Sequence, residues 1–438
     1  MINSLQIKNF KSIKNLNIRL KNFNILSGEN ASGKTSIIHS ILLLTQKTKS
    51  DITLDGNIIK IGSLSELKNY NNGESIEIQI DCNNYKKKLK LNKNKDVSSI
   101  FTETLIVEPE EDVVCFEKNL FYLSSNRIGV MDTYTKGNFL FGSNGEAVID
   151  FLYKNSESPI KPEYLTLFKQ KINNEAVNEN PKFSEHVRFW MEFITGETFS
   201  LSSIVNTNQY IISYGKNIRP INTGSGLSFL LPIIVVCLGA ILIGENNPTV
   251  ILENPEIYLH PAAQDKLMKF LEFCSNFIQL IIETHSEHIL KRAVELKNNQ
   301  STIFITKLIN DETKITSFTK SNFKTSPISY SEVIYKAFGI LTPELHILLY
   351  GQLHGKYNLD NGIAYSGLAA FDNYLQHLPN VPMKQWININ NGVTYYTLPT
   401  YIRNKIDHPE ARKPNSNRKY SFTEKELKSS IDFLLNNL

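Results

Sequence analysis

The stretch Gly28-Glu29-Asn30-Ala31-Ser32-Gly33-Lys34-Thr35 decides the fold, because it matches the phosphate-loop pattern GxxxxGK[ST] at every fixed position. Residues 23–26 before it have the pattern of a short buried strand, and residues 36–44 after it have the apolar density of a packed helix. In a strand, turn and helix of this kind, backbone N–H groups and the positive end of the helix face one point. The sequence therefore predicts a nucleotide site, against the alternative of a chance match in a glycine turn.

The predicted nucleotide contacts lie in this loop and directly after it. Lys34 is expected to reach the β and γ phosphates, and Thr35 to ligate Mg²⁺. The other predicted contacts are Gly28, Asn30, Ser32, Gly33 and Ser36.

Length and composition bound the class of protein. A chain of 438 residues and 50.0 kDa is long for one domain, so two or more are expected. With 47 basic and 43 acidic residues, any contact with nucleic acid must come from a local patch. The four cysteines lack CxxC spacing, which argues against a zinc site or a disulfide framework. The N-terminal residues do not resemble a signal peptide, so a reduced, cytoplasmic protein is expected.

Residues 227–244 are almost entirely apolar over a length that approaches a bilayer span. The segment holds Pro232, lacks basic flanks and lies between two motifs of the nucleotide site. It is therefore predicted to be a buried core helix, with a membrane span as the alternative.

Patterning along the chain predicts an α/β fold with two domains. Alternation in residues 1–22 and 51–107 indicates antiparallel strands, with turns at Asp55-Gly56 and Asn72-Gly73. The run Lys86-Lys87-Lys88 is predicted to be a solvated strand face, with a phosphate-backbone contact as the alternative. Residues 145–200 are predicted to be helical, and strands alternate with helices from 227 to 307. The expected domains are 1–325, with an insertion at about 51–200, and a mainly α-helical 326–438.

An acidic residue at the end of a buried strand is needed to hold the Mg²⁺ shell of a phosphate-loop site. Val250-Ile251-Leu252-Glu253 provides it, and Glu253 is the predicted metal ligand.

Three further motifs resemble those of ABC-type ATPases of the SMC, RecF and OLD kind. The run from Glu253 to Pro261, ENPEIYLHP, is similar to their extended Walker B motif, hydrophobic-Asp-Glu-Pro-Glu-x-x-Leu-His-Pro. Ile281-Ile282-Glu283-Thr284-His285-Ser286 resembles their switch histidine, here His285, and residues 222–228 (NTGSGLS) resemble their signature motif. The resemblance covers about residues 1–310 and implies an ABC-ATPase head with a mixed sheet and an antiparallel β lobe.

The resemblance also implies that ATP joins two copies of the chain. In such folds the signature helix faces away from its own phosphate loop, so Gly224, Gly226 and Ser228 would cap the γ phosphate of ATP on a second subunit. A homodimer is expected. The alternative for this segment is an ordinary Gly-Ser turn.

One departure concerns hydrolysis. The family places a water-polarising glutamate directly after the metal-binding carboxylate, and this chain has Asn254 there. Asparagine cannot accept a proton, so slow hydrolysis is expected unless Glu256 or His285 takes over. The alternative is that Glu256 serves normally. Arg127 is expected near the nucleotide.

The second domain carries Ile402-Arg403-Asn404-Lys405-Ile406-Asp407-His408, which resembles the R-x4-6-H motif of HEPN domains. The resemblance implies a ribonuclease that works without metal, in which His408 moves a proton, Arg403 stabilises the charged phosphate and Asn404 orients them. The alternative is a surface arginine and a helix-terminal histidine. Nearby cations and tyrosines favour a polyanion: Arg412, Lys413, Arg418, Lys419, Tyr395, Tyr396, Tyr401 and Tyr420.

Together the motifs predict an ATP- and Mg²⁺-dependent ABC-type ATPase that gates a HEPN-like ribonuclease acting on tRNA or mRNA, as in toxins of anti-phage defence. A DNA-structure sensor or repair-type ATPase, whose C-terminal domain only dimerises or recruits a nuclease, is the alternative. A third hypothesis is a regulatory subunit for a toxin encoded by an adjacent gene.

Overall fold

The computed structural model divides the chain into two compact units, Met1–Ile328 and Ser329–Leu438. The structure describes residues 1–46, 56, 58–61, 67, 75–83, 86–93, 101–108, 119–129, 131, 134–135, 140–172, 182–204, 207, 209–296, 300–319, 329–387, 392–407 and 422–438.

The first unit combines a mixed sheet, an antiparallel lobe and a helical region. Its strands are β1 (Ile2–Phe10), β2 (Ile13–Arg19), β3 (Phe23–Gly28), β4 (Ile76–Cys82), β5 (Lys86–Lys93), β6 (Phe101–Glu108), β7 (Leu120–Leu123), β8 (Tyr134–Thr135), β9 (Phe199–Ser203), β10 (Gln209–Tyr214), β11 (Thr249–Glu253), β12 (Gln279–Glu283), β13 (Ser301–Ile309) and β14 (Glu312–Phe318). Its helices are α1 (Lys34–Leu43), α2 (Val148–Lys154), α3 (Pro162–Ile172), α4 (Phe183–Thr195), α5 (Ser225–Ile243), α6 (Pro261–Cys274) and α7 (Glu287–Glu295).

The central sheet has the strand order β14-β13-β3-β12-β11-β7. Pairing is parallel from β13 to β7, and only β14 runs antiparallel, to β13. Every residue of β3, β11 and β12 is buried, as expected for strands covered on both faces. Because parallel strands end at the same edge of a sheet, the segments after β3, β11 and β12 meet there.

The apolar segment predicted to be a core helix is α5. It is long and apolar enough to cross a bilayer, yet 72% of its apolar window is buried inside the unit. It packs against α2, α4 and β11. The structure therefore accounts for its apolar character by burial in the first unit.

The antiparallel lobe is a five-stranded sheet in the order β2-β1-β4-β5-β6. The prediction for the lysine run was wrong at one position, because Lys87 is fully buried while Lys86 and Lys88 are partly exposed. Alternation along β5 explains this, since neighbouring side chains point to opposite faces. The Lys88 ammonium group forms an ion pair with Glu77, with Nζ 3.3 Å from Oε2. Two turns were predicted in this lobe. Asp55 of the Asp55-Gly56 turn and both residues of the Asn72-Gly73 turn lie outside the described residues.

The helical region between the lobe and α5 is held by an aromatic core. The Trp190 indole donates to the hydroxyl of Tyr164 at 2.9 Å, and both side chains are fully buried. A small sheet with the order β8-β10-β9 lies beside these helices and was not predicted. Residues 199–214 alternate buried and exposed positions only over short stretches, which gives a weak strand signal.

The second unit contains five helices and one β-hairpin among its described residues. The helices are α8 (Tyr330–Phe338), α9 (Pro343–Asp360), α10 (Leu368–Gln376), α11 (Leu398–Asp407) and α12 (Glu424–Asn437), and the strands are β15 (Met383–Ile387) and β16 (Thr394–Thr397). Thr342 caps α9 with Pro343 at its first position, and Thr423 with Glu426 forms a capping box on α12. The unit is mainly α-helical, as predicted, and the hairpin is an addition.

Candidate nucleotide site

The phosphate loop requires its glycines for space and for backbone conformation. Gly28 and Gly33 have φ angles of +143° and +101°, values that side chains disfavour. A Cβ atom on Gly28 would lie 2.2 Å from the carbonyl oxygen of Thr306, and one on Gly33 would lie 2.3 Å from Oγ1 of Thr313. Strands β13 and β14 thus hold the loop against the sheet.

Lys34 lies inside the curve of this loop. Its Nζ donates to the carbonyl oxygens of Gly28 at 3.1 Å and Glu29 at 2.7 Å. Burial lowers the pKa of Lys34, and the nearby Glu283 carboxylate opposes that effect. Thr35 and Asn30 are exposed beside it, whereas Ser32 is buried. Lys34 and Thr35 therefore lie together at the start of α1, whereas the Ser32 hydroxyl contacts that of Thr306 on β13.

Glu283 is a residue that the sequence reasoning missed. Thr35 Oγ1 donates to both Glu283 carboxylate oxygens, at 3.1 and 3.2 Å. Glu283 ends β12, where it is paired in register with Glu253 at the end of β11. Burial and the Glu253 charge raise the pKa of Glu283 to about 7. The available signal was a carboxylate two residues before the predicted switch histidine, at a strand end.

Glu253 lies at the same edge and is held by two donors. It accepts hydrogen bonds from the Tyr122 hydroxyl at 2.9 Å and the Ser125 N–H at 3.1 Å. These donors fix the carboxylate that the sequence predicted as the metal ligand.

The oxygen donors at this edge suit Mg²⁺. A threonine hydroxyl and carboxylates are hard ligands of the kind that this ion prefers. Burial is the main cause of the raised pKa of Glu283, and the Glu253 charge adds to it, so a divalent cation at this edge would favour the ionised carboxylates. Thr35, Glu253 and Glu283 are therefore the residues that fit the metal.

Arg127 holds the end of β11 in place through hydrogen bonds to its backbone. Its guanidinium donates to the carbonyl oxygens of Glu253 at 2.7 Å, Asn254 at 2.8 Å and Ser124 at 3.1 Å. The side chain is buried, and burial lowers its pKa to about 10. Arg127 is thus a positioning residue for the carboxylate edge.

Glu256 and His285 meet beside this edge. Oε1 of Glu256 accepts hydrogen bonds from the Thr284 hydroxyl at 2.8 Å and the His285 N–H at 3.0 Å. Its Oε2 is buried and has no hydrogen-bond partner within the described ranges. Burial raises the pKa of Glu256, while burial and the Lys34 charge lower the pKa of His285. Glu256 therefore has one oxygen held by two donors and one buried oxygen without a hydrogen-bond partner among the described residues.

Asn254 has a structural role at the turn after β11. Its φ angle is +43°, a region that asparagine tolerates better than most residues. Its N–H donates to the carbonyl oxygen of Glu283 at 2.8 Å. Its Oδ1 is buried without a hydrogen-bond partner in the described part of the chain.

The signature segment begins α5, with Gly224 as its N-cap. A side chain on Gly224 would meet nothing within 4 Å, whereas a Cβ atom on Gly226 would lie 2.8 Å from the carbonyl oxygen of Tyr258. Ser228 is buried. Of the three predicted contacts, Gly224 is therefore the one with free space around it. Gly226 packs against the segment that follows Glu256.

In the second unit, Arg403 and Asn404 lie on α11. Arg403 donates to the side-chain oxygen of Asn404 at 3.0 Å and pairs with Asp407 at 2.8 Å. His408 lies outside the described residues, as do Arg412, Lys413, Arg418, Lys419 and Tyr420. Its predicted role therefore stays a prediction.

The chain matches a known protein family over the residues that form the candidate nucleotide site. Residues 23–291, more than half of the chain, match the family described as "AAA domain, putative AbiEii toxin, Type IV TA system". The chain belongs to this family. Together with the RecF relatives described next, this match confirms the predicted resemblance to ABC-type ATPases, while the predicted resemblance of the second unit to HEPN domains stays a prediction. The family match ends before the second unit begins.

Curated relatives match over shorter stretches. The chain is 30% identical over 128 residues to the DNA replication and repair protein RecF of Acetivibrio thermocellus, which is 26% of this chain and 34% of that protein. It is 34% identical over 99 residues to RecF of Vibrio cholerae, 22% of this chain and 26% of that protein. The chain thus spans about a third or less of the length of these relatives.

Solved structures that match the chain at low sequence identity include an SMC head bound to the C-winged helix domain of ScpA. That structure has a TM-score of 0.46 at 16% identity, covering 74% of this chain and 99% of the other. An SMC head domain from Thermotoga maritima has a TM-score of 0.40 at 13% identity, covering 72% and 98%.

Proposed function

We propose that the chain binds ATP with Mg²⁺ at the phosphate loop, hydrolyses it slowly and uses the bound state as a switch. The observation that carries this proposal is the convergence of Lys34, Thr35, Glu283 and Glu256 at one edge of the sheet. A triphosphate there meets an ammonium group, the N-terminus of α1 and a set of oxygen ligands for the metal.

The residues divide the work of hydrolysis. The Lys34 amine exchanges its two carbonyl partners for phosphate oxygens when the nucleotide binds. Thr35, Glu253 and Glu283 would hold Mg²⁺, which would neutralise charge on the phosphates. Glu256 accepts the proton of the attacking water, since its Oε2 has no hydrogen-bond partner in the described part of the chain and burial raises its pKa. The Asn254 side chain cannot accept a proton, so the water proton must go to a carboxylate later in the chain. Slow turnover follows.

The test of ATP binding is Lys34→Ala, compared with Lys269→Ala on the exposed face of α6. We expect Lys34→Ala to lose about 100-fold in ATP affinity, because a charge-assisted contact to phosphate disappears. Lys269→Ala is expected to bind as the wild type does. Equal ATP affinity in both variants would overturn the proposal. Calorimetric titration measures both.

The same proposal includes a homodimer in which Gly224 of each copy caps ATP on the other. The open surroundings of Gly224 at the start of α5 support it. Gly224→Asp fits the free space of one copy but places a negative charge beside the γ phosphate of the second. It should retain ATP binding and lose ATP-dependent dimerisation in ultracentrifugation. A variant that still dimerises with ATP would argue against the shared site.

For the second unit we propose a HEPN-like ribonuclease whose action depends on the nucleotide state, with a role as a toxin in defence. The hydrogen bond from Arg403 to Asn404 supports this, since it orients the predicted catalytic arginine. His408→Ala should abolish cleavage of tRNA or mRNA and leave ATP binding intact, while His377→Ala, at the exposed end of α10, should cleave normally. Cleavage by the His408→Ala variant would refute the assignment.

A second candidate function is suggested by the curated relatives, which are named as DNA replication and repair proteins. In that case the chain would be a DNA-structure sensor whose second unit dimerises or recruits a nuclease, including a toxin from an adjacent gene. ATP-dependent binding to DNA ends together with intact RNA would favour it.

A further inference from the structure

The hairpin formed by β13 and β14 extends past the phosphate loop at the carboxyl edge of the central sheet. Thr306 of β13 is paired in register with Gly28, the last residue of β3, and three further residues of β13 follow it. Asn310 and Asp311 then form a two-residue turn, with φ angles of +50° and +60°. Positive φ angles at both central residues are typical of tight hairpin turns, so the tip is a defined extension of the sheet.

One face of this tip is turned toward the phosphate loop. Thr313 of β14 is buried, and its hydroxyl donates to the carbonyl oxygen of Ser32 at 3.1 Å. The Thr313 N–H donates to the carbonyl oxygen of Ser12 at 2.8 Å, which joins the hairpin to the turn between β1 and β2. Leu308 lies directly opposite Thr313 in the register of β13 and β14. Because directly opposed residues of an antiparallel pair project to the same face, Leu308 shares the face that contacts the loop.

The opposite face of the tip is charged and open to solvent. Ile309 lies opposite Glu312 on that face, and the Glu312 carboxylate pairs with the Lys314 ammonium group at 2.8 Å. Leu308 is the apolar residue of the tip on the loop face, and 45% of its surface is exposed. A molecule bound in the loop that covered this surface would gain from the hydrophobic effect, which grows with the apolar area removed from water.

The carboxylates at the sheet edge indicate which way a triphosphate would lie in the loop. Thr35 bonds to Glu283 at the end of β12, and β12 and β13 lie on opposite sides of β3. With its metal-bearing γ end at the carboxylates, the triphosphate would cross the loop with its α phosphate toward β13. The ribose and the base would therefore leave the loop on the side where Leu308 extends past it.

We propose that Leu308 is the base-contacting residue of the nucleotide site and that its side chain packs on the face of the adenine ring of ATP. This inference rests on the proposed ATP binding and adds to it a subsite for the base. A small apolar surface beside convergent polar groups is the usual composition of a ligand site. An aliphatic side chain has no hydrogen bond to offer a phosphate, so its contribution to affinity belongs to the base.

The test compares two ligands that share the phosphate contacts, ATP and inorganic tripolyphosphate, each with Mg²⁺ and the full chain in calorimetric titration. The wild type should bind ATP more tightly than tripolyphosphate. Leu308→Asn should bind ATP about 10-fold less tightly, because the apolar contact with the base is lost, and should bind tripolyphosphate as the wild type does. Ile309→Asn changes the neighbouring exposed residue on the opposite face, so it is the matched control and should keep both affinities.

The outcomes separate this inference from the function on which it rests. If the wild type binds neither ligand, the proposed nucleotide site fails and Leu308 loses its role with it. If the wild type binds both ligands equally, or if Leu308→Asn keeps the wild-type ratio of the two affinities, the base subsite is overturned while phosphate binding stands. A selective loss of ATP affinity in Ile309→Asn as well would also overturn it. Tripolyphosphate binding shows that each variant is folded, and Leu308→Ala gives the second reading if Leu308→Asn is not.

Discussion

Thr35 Oγ1 donates to both carboxylate oxygens of Glu283, at 3.1 and 3.2 Å, and this contact joins the phosphate loop to the end of the neighbouring strand β12. Glu283 also faces Glu253 across the β11–β12 pair. The hydroxyl and the two carboxylates form the oxygen-rich edge at which we expect the metal.

We predict that Glu283→Gln changes how ATP binding depends on Mg²⁺. With one negative charge removed, the affinity for metal-free ATP should rise several-fold. The gain in affinity on adding Mg²⁺ should shrink about 10-fold, because a hard oxygen ligand is lost. Glu245→Gln, at an exposed position, should behave as the wild type does. An unchanged Mg²⁺ dependence in Glu283→Gln would show that this carboxylate does not serve the metal.

Glu256→Gln should stop hydrolysis and preserve ATP binding. The amide oxygen can still accept from Thr284 and His285, so the fold of the site is kept while the proton acceptor is removed. We expect phosphate release to slow about 100-fold or more. Asn254→Gly, which tolerates the positive φ angle of this turn, is the comparison, and it should hydrolyse at nearly the wild-type rate. The reverse ranking of the two variants would assign the catalytic role to position 254.

Arg127→Leu should destabilise the first unit by about 3 kcal/mol, because carbonyl oxygens at the end of β11 lose their charged donor in a buried place. Urea unfolding, followed by Trp190 fluorescence in a Trp386→Phe background, measures this loss of stability. Arg219→Leu, at an exposed position, should unfold at the same urea concentration as the wild type. A wild-type midpoint for Arg127→Leu would contradict the positioning role.

Acid should destabilise the second unit through His346. Its Nε2 lies 2.9 Å from Oγ of Ser430, and burial lowers its pKa to about 3. The unfolded chain, with an ordinary histidine pKa near 6.5, binds the proton first as pH falls, so stability is present above that pKa and is lost below it. Between pH 7 and pH 5 the loss should be about 2 kcal/mol.

His346→Gln should remove this pH dependence. The measurement is urea unfolding at each pH followed by Trp386 fluorescence in a Trp190→Phe background, so that the signal comes from the second unit. His377→Gln, which alters an exposed histidine, should keep the wild-type slope. Equal slopes for His346→Gln and the wild type would remove His346 as the cause.

Local patterns were enough to predict most of the helices and strands. Turn glycines and apolar spacing place the phosphate loop, the strand before it and α1, and continuous apolar runs place α5, β11 and β12. The hairpin of β15 and β16 escaped prediction because its strands are short and half-exposed, so their side chains leave little alternation to detect.

By itself, the sequence determined the nucleotide motif, the α/β class and the ATPase family, because each depends on residues close together in the chain. Only the tertiary structure decided that Glu283 meets Thr35 and that Arg127 supports β11. The first of these pairs is 248 residues apart in sequence. Such contacts depend on which strand or helix becomes the neighbour of which, and the insertion of β12 between β3 and β11 is set by packing of the whole sheet rather than by any local pattern.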